Sequence, residues 1–351
     1  MNIASRLRKI VWHSACASFL VILLAAGCGE SYREPVSQRQ ILLGTYVTIT
    51  SYDVDMDPAA INRAISAGFD AIREVETLTN PYDSASTVGV LNRRSGEARE
   101  FLPDRRFYEL LSRAMEAAQE TGGAFDFTLW PVFRLWGFDT DSAAVPAPER
   151  IQEALGKTGY QRVSLDSSRL LLPAGVELDL GGISKGFAVE MARRVLRGQG
   201  MRNFIIDAGG NLGIEWNHEE DIQIFVRHPR REGQFWGQFP LGRSCGVSTS
   251  GDYQFYFIEN GQRYHHILNP QTGYPADDVA AVSIIAPDAI TADGLSTAVF
   301  VMGRERGREF IESHPELQGL IIYRDGNDSL QTYLSAGVRE KFTSLAEESE
   351  K

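Results

Sequence analysis

Cysteine is scarce in this chain. It has three in 351 residues, Cys16, Cys28 and Cys245. The first two fall in the N-terminal leader and its cleavage site, so the mature part holds Cys245 alone. That count excludes an intrachain disulfide and any cysteine-based metal centre. Basic charge is also short: 35 Lys and Arg stand against 46 Asp and Glu, for a net charge of −11. Neither that balance nor any basic stripe suits a nucleic-acid partner. The one long apolar stretch, near the N-terminus, is too short and too weakly flanked to make a stable transmembrane span. Internal repeats and the dinucleotide fingerprint GxGxxG are missing. Gly156-Lys157-Thr158 resembles the end of a phosphate-binding P-loop, but that pattern needs a glycine at 151, where Ile151 stands.

The ends read as targeting segments. Arg6, Arg8 and Lys9 precede an apolar centre at Phe19 to Leu24, and Ala25-Ala26-Gly27 leads into Cys28. This is secretory signal anatomy. A cysteine directly after small residues resembles a lipobox, with Ala25 where leucine is usual. The expected organisation is a signal peptide over 1–27, a lipidated Cys28, a polar tether over 28–40, one domain over 41–343 and a charged tail over 344–351. The protein is then exported and lipid-anchored to a bacterial membrane, facing the periplasm.

Between the ends, periodicity gives both element types. Leu42 to Ser51 alternates as a half-buried strand. Helices are expected over 58–78 (capped by Asp57), 107–121, 148–155 and 184–197. Two more are expected over 292–301 and 304–313. Strands are expected over 204–207, 222–227, 279–286 and 319–323, with a strand-turn-strand around Pro173 and Gly175. Their irregular order predicts an α+β fold with mixed sheets and surrounding helices.

Four runs carry candidate chemistry. Gly246 to Pro275 contains Asn260-Gly261, a strong hairpin signal. An in-register hairpin there would bring Ser248, Thr249, Ser250 and Gly251 near His265 and His266. Asp179 to Gly186 (DLGGISKG) ends a strand in an acid and opens a helix with Lys185, which suits a phosphate-bearing ligand or a plain capped junction. Asp207 to Gly213 (DAGGNLG) fits a phosphate cradle or a tight turn equally. Asp293 and Thr297, four apart on one helical face, could share a hard cation such as magnesium if a substrate supplied further oxygens; a helix acid with a core threonine is the plainer alternative.

Taken in order, these segments resemble the ApbE family of FAD:protein FMN transferases. The matching runs are LLGTYVTIT at 42–50, NPYDSASTVGVLNR at 80–93, TGGAFDFTLWPVFRLWGF at 121–138 and DLGGISKGFAVE at 179–190. DAGGNL at 207–212, VSTSGDY at 247–253, HHILNPQTGYP at 265–275 and TADGLSTAVFVMG at 291–303 complete the series. Departures are Leu43, Ser184 and Asn269, where the family often has Met, Ala and Asp. The resemblance implies the ApbE-like flavin transferase fold and Mg²⁺-dependent transfer of FMN from FAD to a threonine hydroxyl of a target protein, releasing AMP. It implies metal ligation by the Gly182 carbonyl, Asp293 and Thr297. Flavin contacts are implied from Leu43, Tyr82, Ala124, Phe125, Asp126, Asp179, Lys185 and Ile267. His266, at the family's HI position, is the candidate base, titrating near pH ~6.5 if unperturbed. The implied acceptor is a subunit of a membrane redox complex or an exported flavoprotein. A magnesium-dependent FAD pyrophosphatase and a non-enzymatic flavin-binding lipoprotein are the alternative functions.

Overall fold

The computed structural model describes residues 34–138, 140–166, 169–327 and 329–346. Residues 1–33, which include the expected signal segment and Cys28, and the last five residues lie outside them. Among the described residues the centre is an eight-stranded sheet. In spatial order its strands are Val36–Leu42, Thr45–Ser51, Phe204–Ala208, Asn211–Glu215, Cys245–Gly251, Val279–Ala286, Gln318–Arg324 and Leu330–Leu334. Every ladder in it is antiparallel. Helices and sheets thus combine as α+β.

Side chains alternate across a strand, so each strand feeds two cores. Val47, Ile49 and Ile206 face the helices Pro58–Thr79 and Ser184–Gly198. Val282, Ile284 and Ile321 face the helix Ala289–Ser313. On the opposite side Ile205, Ile214, Ile285 and Ile322 pack with Ile224 and Phe239, which belong to a three-stranded sheet of Thr343–Ser344, Phe235–Leu241 and Ile222–Arg227. The result is a helix layer, a central sheet and a small covering sheet. Val279–Ala286 is buried along its whole length because both faces are covered.

Several boundaries depart from the sequence expectations. The first strand takes in Val36–Gln40, placed above in the tether. The strand expected over 42–51 is instead half of a hairpin whose turn, Leu43-Gly44, has φ of 53° and 70°, as a type I′ turn requires. Around Pro173 no hairpin forms. Leu170–Leu172 pairs with Arg99–Phe101 and Ser164–Leu165. The return segment is held instead by a parallel bridge from Glu177 to Leu129 and by the buried Asn92 side chain, which bonds both the N–H and the carbonyl of Leu178 at 2.8 Å. The two helices expected after 289 form one run, broken at Gly303 (φ 79°, ψ −174°).

Candidate active site

Two helices meet to make the site. The helix Ser184–Gly198 opens directly after the Asp179 run, and Asp179 Oδ1 accepts the Gly181 N–H at 3.0 Å to tighten the approach. No side chain caps this helix from its own preceding residue. The cap comes from the other helix: Asp293 Oδ2 accepts the Gly186 N–H at 2.7 Å, one of the amides a helix start leaves unpaired. A side chain at 186 would run into the Ala289 carbonyl and sit 2.5 Å from Asp293 Cβ, so only glycine permits this approach.

Along the helix Ala289–Ser313, the four-residue spacing brings Thr297 to the same place. Its Oγ1 lies 3.5 Å from the Gly182 carbonyl oxygen. Lys185 stands in the first turn of the facing helix, its Nζ 3.4 Å from the Gly181 carbonyl. Burial pushes the Asp293 carboxyl up, opposed by the Lys185 charge and by the Gly186 and Ser248 hydrogen bonds. Gly182, Lys185, Asp293 and Thr297 therefore converge as the sequence suggested.

The hydroxyl run is held by strands other than the hairpin. Cys245–Gly251 is hydrogen-bonded on both sides within the main sheet, so Asn260-Gly261 closes only Tyr256–Glu259 onto Gln262–His265. Ser248 faces Asp293 instead: its Oγ lies 3.4 Å from Oδ1 and 3.1 Å from Ser296 Oγ. Ser250 Oγ lies 2.9 Å from Ser296 Oγ and 3.5 Å from Thr297 Oγ1. This hydroxyl layer behind the carboxylate, completed by Asn211 on Ser248, was missed from the sequence. Alternation in VSTSG shows which residues share a face but not what they oppose.

The candidate flavin residues divide into groups. Phe125 edges the same pocket, since a Cβ on Gly182 would lie 3.1 Å from its ring; Ala124 precedes it, half-buried. Both Asp126 oxygens are engaged, one by the Thr128 N–H and hydroxyl and the other by the Tyr160 N–H at 2.9 Å. Burial raises both Asp126 and Asp179 above the ordinary carboxyl range. Tyr82 is 57% exposed and stands edge-on to Trp130 at 4.9 Å. Leu43 holds its positive φ with its N–H on Glu76 Oε1 at 2.9 Å. The neighbouring Gly209-Gly210 turn is a hairpin connection between Phe204–Ala208 and Asn211–Glu215. Ile267 is buried in the core, its N–H on His265 Nδ1 and its carbonyl on the Ala276 N–H. Its side chain packs in the core under the segment carrying His266.

The two histidines have different environments. His265 is 3% exposed, with Nε2 2.6 Å from the Ala276 carbonyl and its ring edge-on to Phe300. His266 follows the strand end, its N–H on the Phe255 carbonyl at 3.0 Å. Its Nδ1 is buried with no hydrogen-bond partner. Desolvation, followed by His265 and Lys185, pulls its pKa down to about 3. The ordinary value near 6.5 expected above is therefore corrected: this imidazole is neutral at working pH. A bidentate Arg230–Asp252 pair (2.7 and 2.6 Å), also missed from the sequence, lies at the root of the hairpin that leads to it.

Among the described residues no three His, Cys, Asp or Glu side chains gather to hold a metal. The convergence of one carboxylate, one carbonyl and one hydroxyl is a hard-oxygen set. It fits magnesium, which commonly takes its remaining ligands from water and substrate phosphates.

An all-antiparallel sheet whose covering helices bring a lysine-bearing helix start beside the oxygens of Gly182, Asp293 and Thr297 suits an anionic ligand. Comparison makes the assignment particular. The ApbE family model matches residues 43–321. A Treponema pallidum protein named FAD:protein FMN transferase is 33% identical over 332 residues, covering 87% of this chain and 89% of its own. The crystal structure of the ApbE protein from Thermotoga maritima superposes with a TM-score of 0.78 at 33% identity, covering 88% of this chain and 99% of that one. The apo Pseudomonas stutzeri flavinyl transferase ApbE gives 0.75 at 27% identity, covering 88% and 96%. The chain belongs to the ApbE family.

Proposed function

We propose that this protein acts as its relatives are named, as an FAD:protein FMN transferase, and that the reaction depends on magnesium held by Gly182, Asp293 and Thr297. The observation that carries this reading is the 3.5 Å approach of Thr297 Oγ1 to the Gly182 carbonyl beside Asp293 and Lys185. Phosphoryl-type transfer needs positioning and charge neutralisation more than covalent chemistry. Bound there, the metal would neutralise charge on the FAD pyrophosphate.

The chain's own residues do the rest. Lys185 and the first amides of the helix Ser184–Gly198 attract the phosphates. Phe125 and Tyr82 offer aromatic surface to the flavin. His266, neutral and with a free ring nitrogen, accepts the proton from the threonine hydroxyl. The hydroxyl oxygen bonds to the FMN phosphorus, the pyrophosphate P–O bond breaks, and AMP leaves with that electron pair. Burial, then His265 and Lys185, hold His266 a weak base in the free protein; phosphate charge beside Lys185 would raise its basicity.

Phe255, Tyr256 and Ile258 are exposed apolar side chains on the hairpin running into His266, and a protein acceptor would meet this rim. For localisation we propose export and a lipid anchor at Cys28, on the lipobox-like run. The acceptor is then a subunit of a membrane redox complex or an exported flavoprotein. Incubation with FAD, Mg²⁺ and membrane proteins of the source cell tests the activity, by following AMP release and flavin fluorescence fixed to protein bands in denaturing gels. AMP and free FMN with no labelled band would identify a pyrophosphatase instead.

A further inference from the structure

Away from this site, a cleft of about 430 Å³ opens between the second half of the broken helix and the last two strands of the main sheet. Three guanidinium groups line it, Arg304, Arg308 and Arg339, against one lining carboxylate, Glu305. In an acidic chain such a gathering is unexpected, because like charges held together cost free energy unless an anion offsets them.

The arginines are held but not consumed. Arg304 lies 4.8 Å over the Tyr323 ring, and its backbone N–H is fixed by Asp278. Its Nε is buried and takes no hydrogen bond, although Glu305 Oε1 stands 2.9 Å away as an ion pair. Arg308 reaches the same Glu305 only at 3.9 Å. Arg339 spends one N–H on the Leu334 carbonyl at 2.9 Å, out of the five donors of a guanidinium. At the margin Glu312 is engaged by the Tyr333 hydroxyl at 3.3 Å. Forked donors beside an aromatic face suit an oxyanion, and the volume suits a small molecule.

We propose that this cleft is a second anion-binding site, separate from the transfer site, and that it takes a phosphoryl group through Arg304, Arg308 and Arg339. Free phosphate esters and anionic lipid headgroups share this chemistry, and the test separates them. The background is Lys185→Ala in EDTA, which weakens phosphate binding at the transfer site. AMP and inorganic phosphate are titrated by calorimetry, and phosphatidylglycerol and phosphatidylcholine vesicles by co-sedimentation. The expected result is binding that weakens about tenfold or more in Arg308→Ala/Arg339→Ala, the loss of charge-assisted hydrogen bonds. In the otherwise wild-type protein, the same pair of substitutions should not lower the melting temperature or change FAD cleavage, because Arg308 is half-exposed and neither residue is part of the transfer site. Binding of AMP or phosphate that is lost in the variant supports a free ester. Binding only to phosphatidylglycerol vesicles, lost likewise, supports a headgroup. No binding to any probe, or equal binding by the variant, overturns the proposal.

Discussion

The Gly186 N–H donates to Asp293 Oδ2 across 2.7 Å, joining the first turn of one helix to the second turn of another. One carboxylate thereby caps a helix and faces the candidate metal position, and one glycine makes both possible. Gly186→Ala should push the helices apart through the Ala289 carbonyl and Asp293 Cβ. A loss of about 1–3 kcal/mol is expected for such overpacking, read by denaturant unfolding, with Mg²⁺ affinity in the presence of FAD falling as well. Unchanged affinity would separate the cap from the metal position.

Asp293→Ala should stop AMP release while leaving a folded protein, since it removes the one carboxylate of the oxygen set. Calorimetry should find Mg²⁺ binding much stronger with FAD than without, because three protein oxygens leave an octahedral ion short of ligands. Equal binding in both conditions would contradict a shared site.

His266→Ala should keep FAD binding yet lose transfer by about 100-fold or more, as removal of a general base does. The lowered pKa makes a further prediction. The free protein's His266 is neutral from alkaline pH down to about 3, so kcat/KM should show no limb near pH 6.5. The same shift sets a stability trend. The unfolded imidazole binds a proton below about pH 6.5 while the folded one does not, so this residue's contribution falls as pH drops from there towards 3. His265→Ala, mild by strand alternation alone, should instead destabilise the fold, because His265 packs on Phe300 and bonds Ala276. A pH limb near 6.5 that vanishes in His266→Ala would refute the lowered value.

Ile258, 61% exposed on the hairpin, should matter for the protein acceptor alone. Ile258→Glu is expected to raise KM for the acceptor several-fold and leave FAD affinity unchanged. Equal KM values would remove the hairpin from acceptor contact.

Cys28→Ala should shift the protein from the membrane fraction to a soluble or unprocessed form, because a multiply acylated cysteine holds a membrane firmly. Fractionation and mass analysis of the N-terminus decide this; persistence in the membrane fraction would rule out a lipid anchor at that position.

Much of the fold was legible because its signals are local. The helix Pro58–Thr79 begins where Asp57 and Pro58 dictate, with Asp57 accepting the Ala60 N–H. Asn260-Gly261 turns with φ of 50° and 80° as its composition requires. The break between Val301 and Arg304 falls at Gly303, where φ is positive. The Leu43-Gly44 turn was not legible, because leucine gives no sign of a left-handed backbone. The segment after Pro173 looked like half of a local hairpin, but its partners are distant: Glu177 bridges Leu129 in parallel, and Leu178 bonds the Asn92 amide, more than eighty residues away in sequence.

By itself the sequence determined the element types, the acid, lysine and histidine candidates and the family, since these rest on periodicity, turn chemistry and the order of motifs. Which groups oppose one another was decided only by the tertiary structure. Ser248 meets Asp293 because Cys245–Gly251 is set by its two ladder partners in the main sheet and not by the Asn260-Gly261 hairpin. His266 loses its ordinary basicity because packing removes water from around it and sets Lys185 nearby. Ladder partners, burial and through-space charge depend on chain segments far apart in sequence, and local pattern carries no record of them.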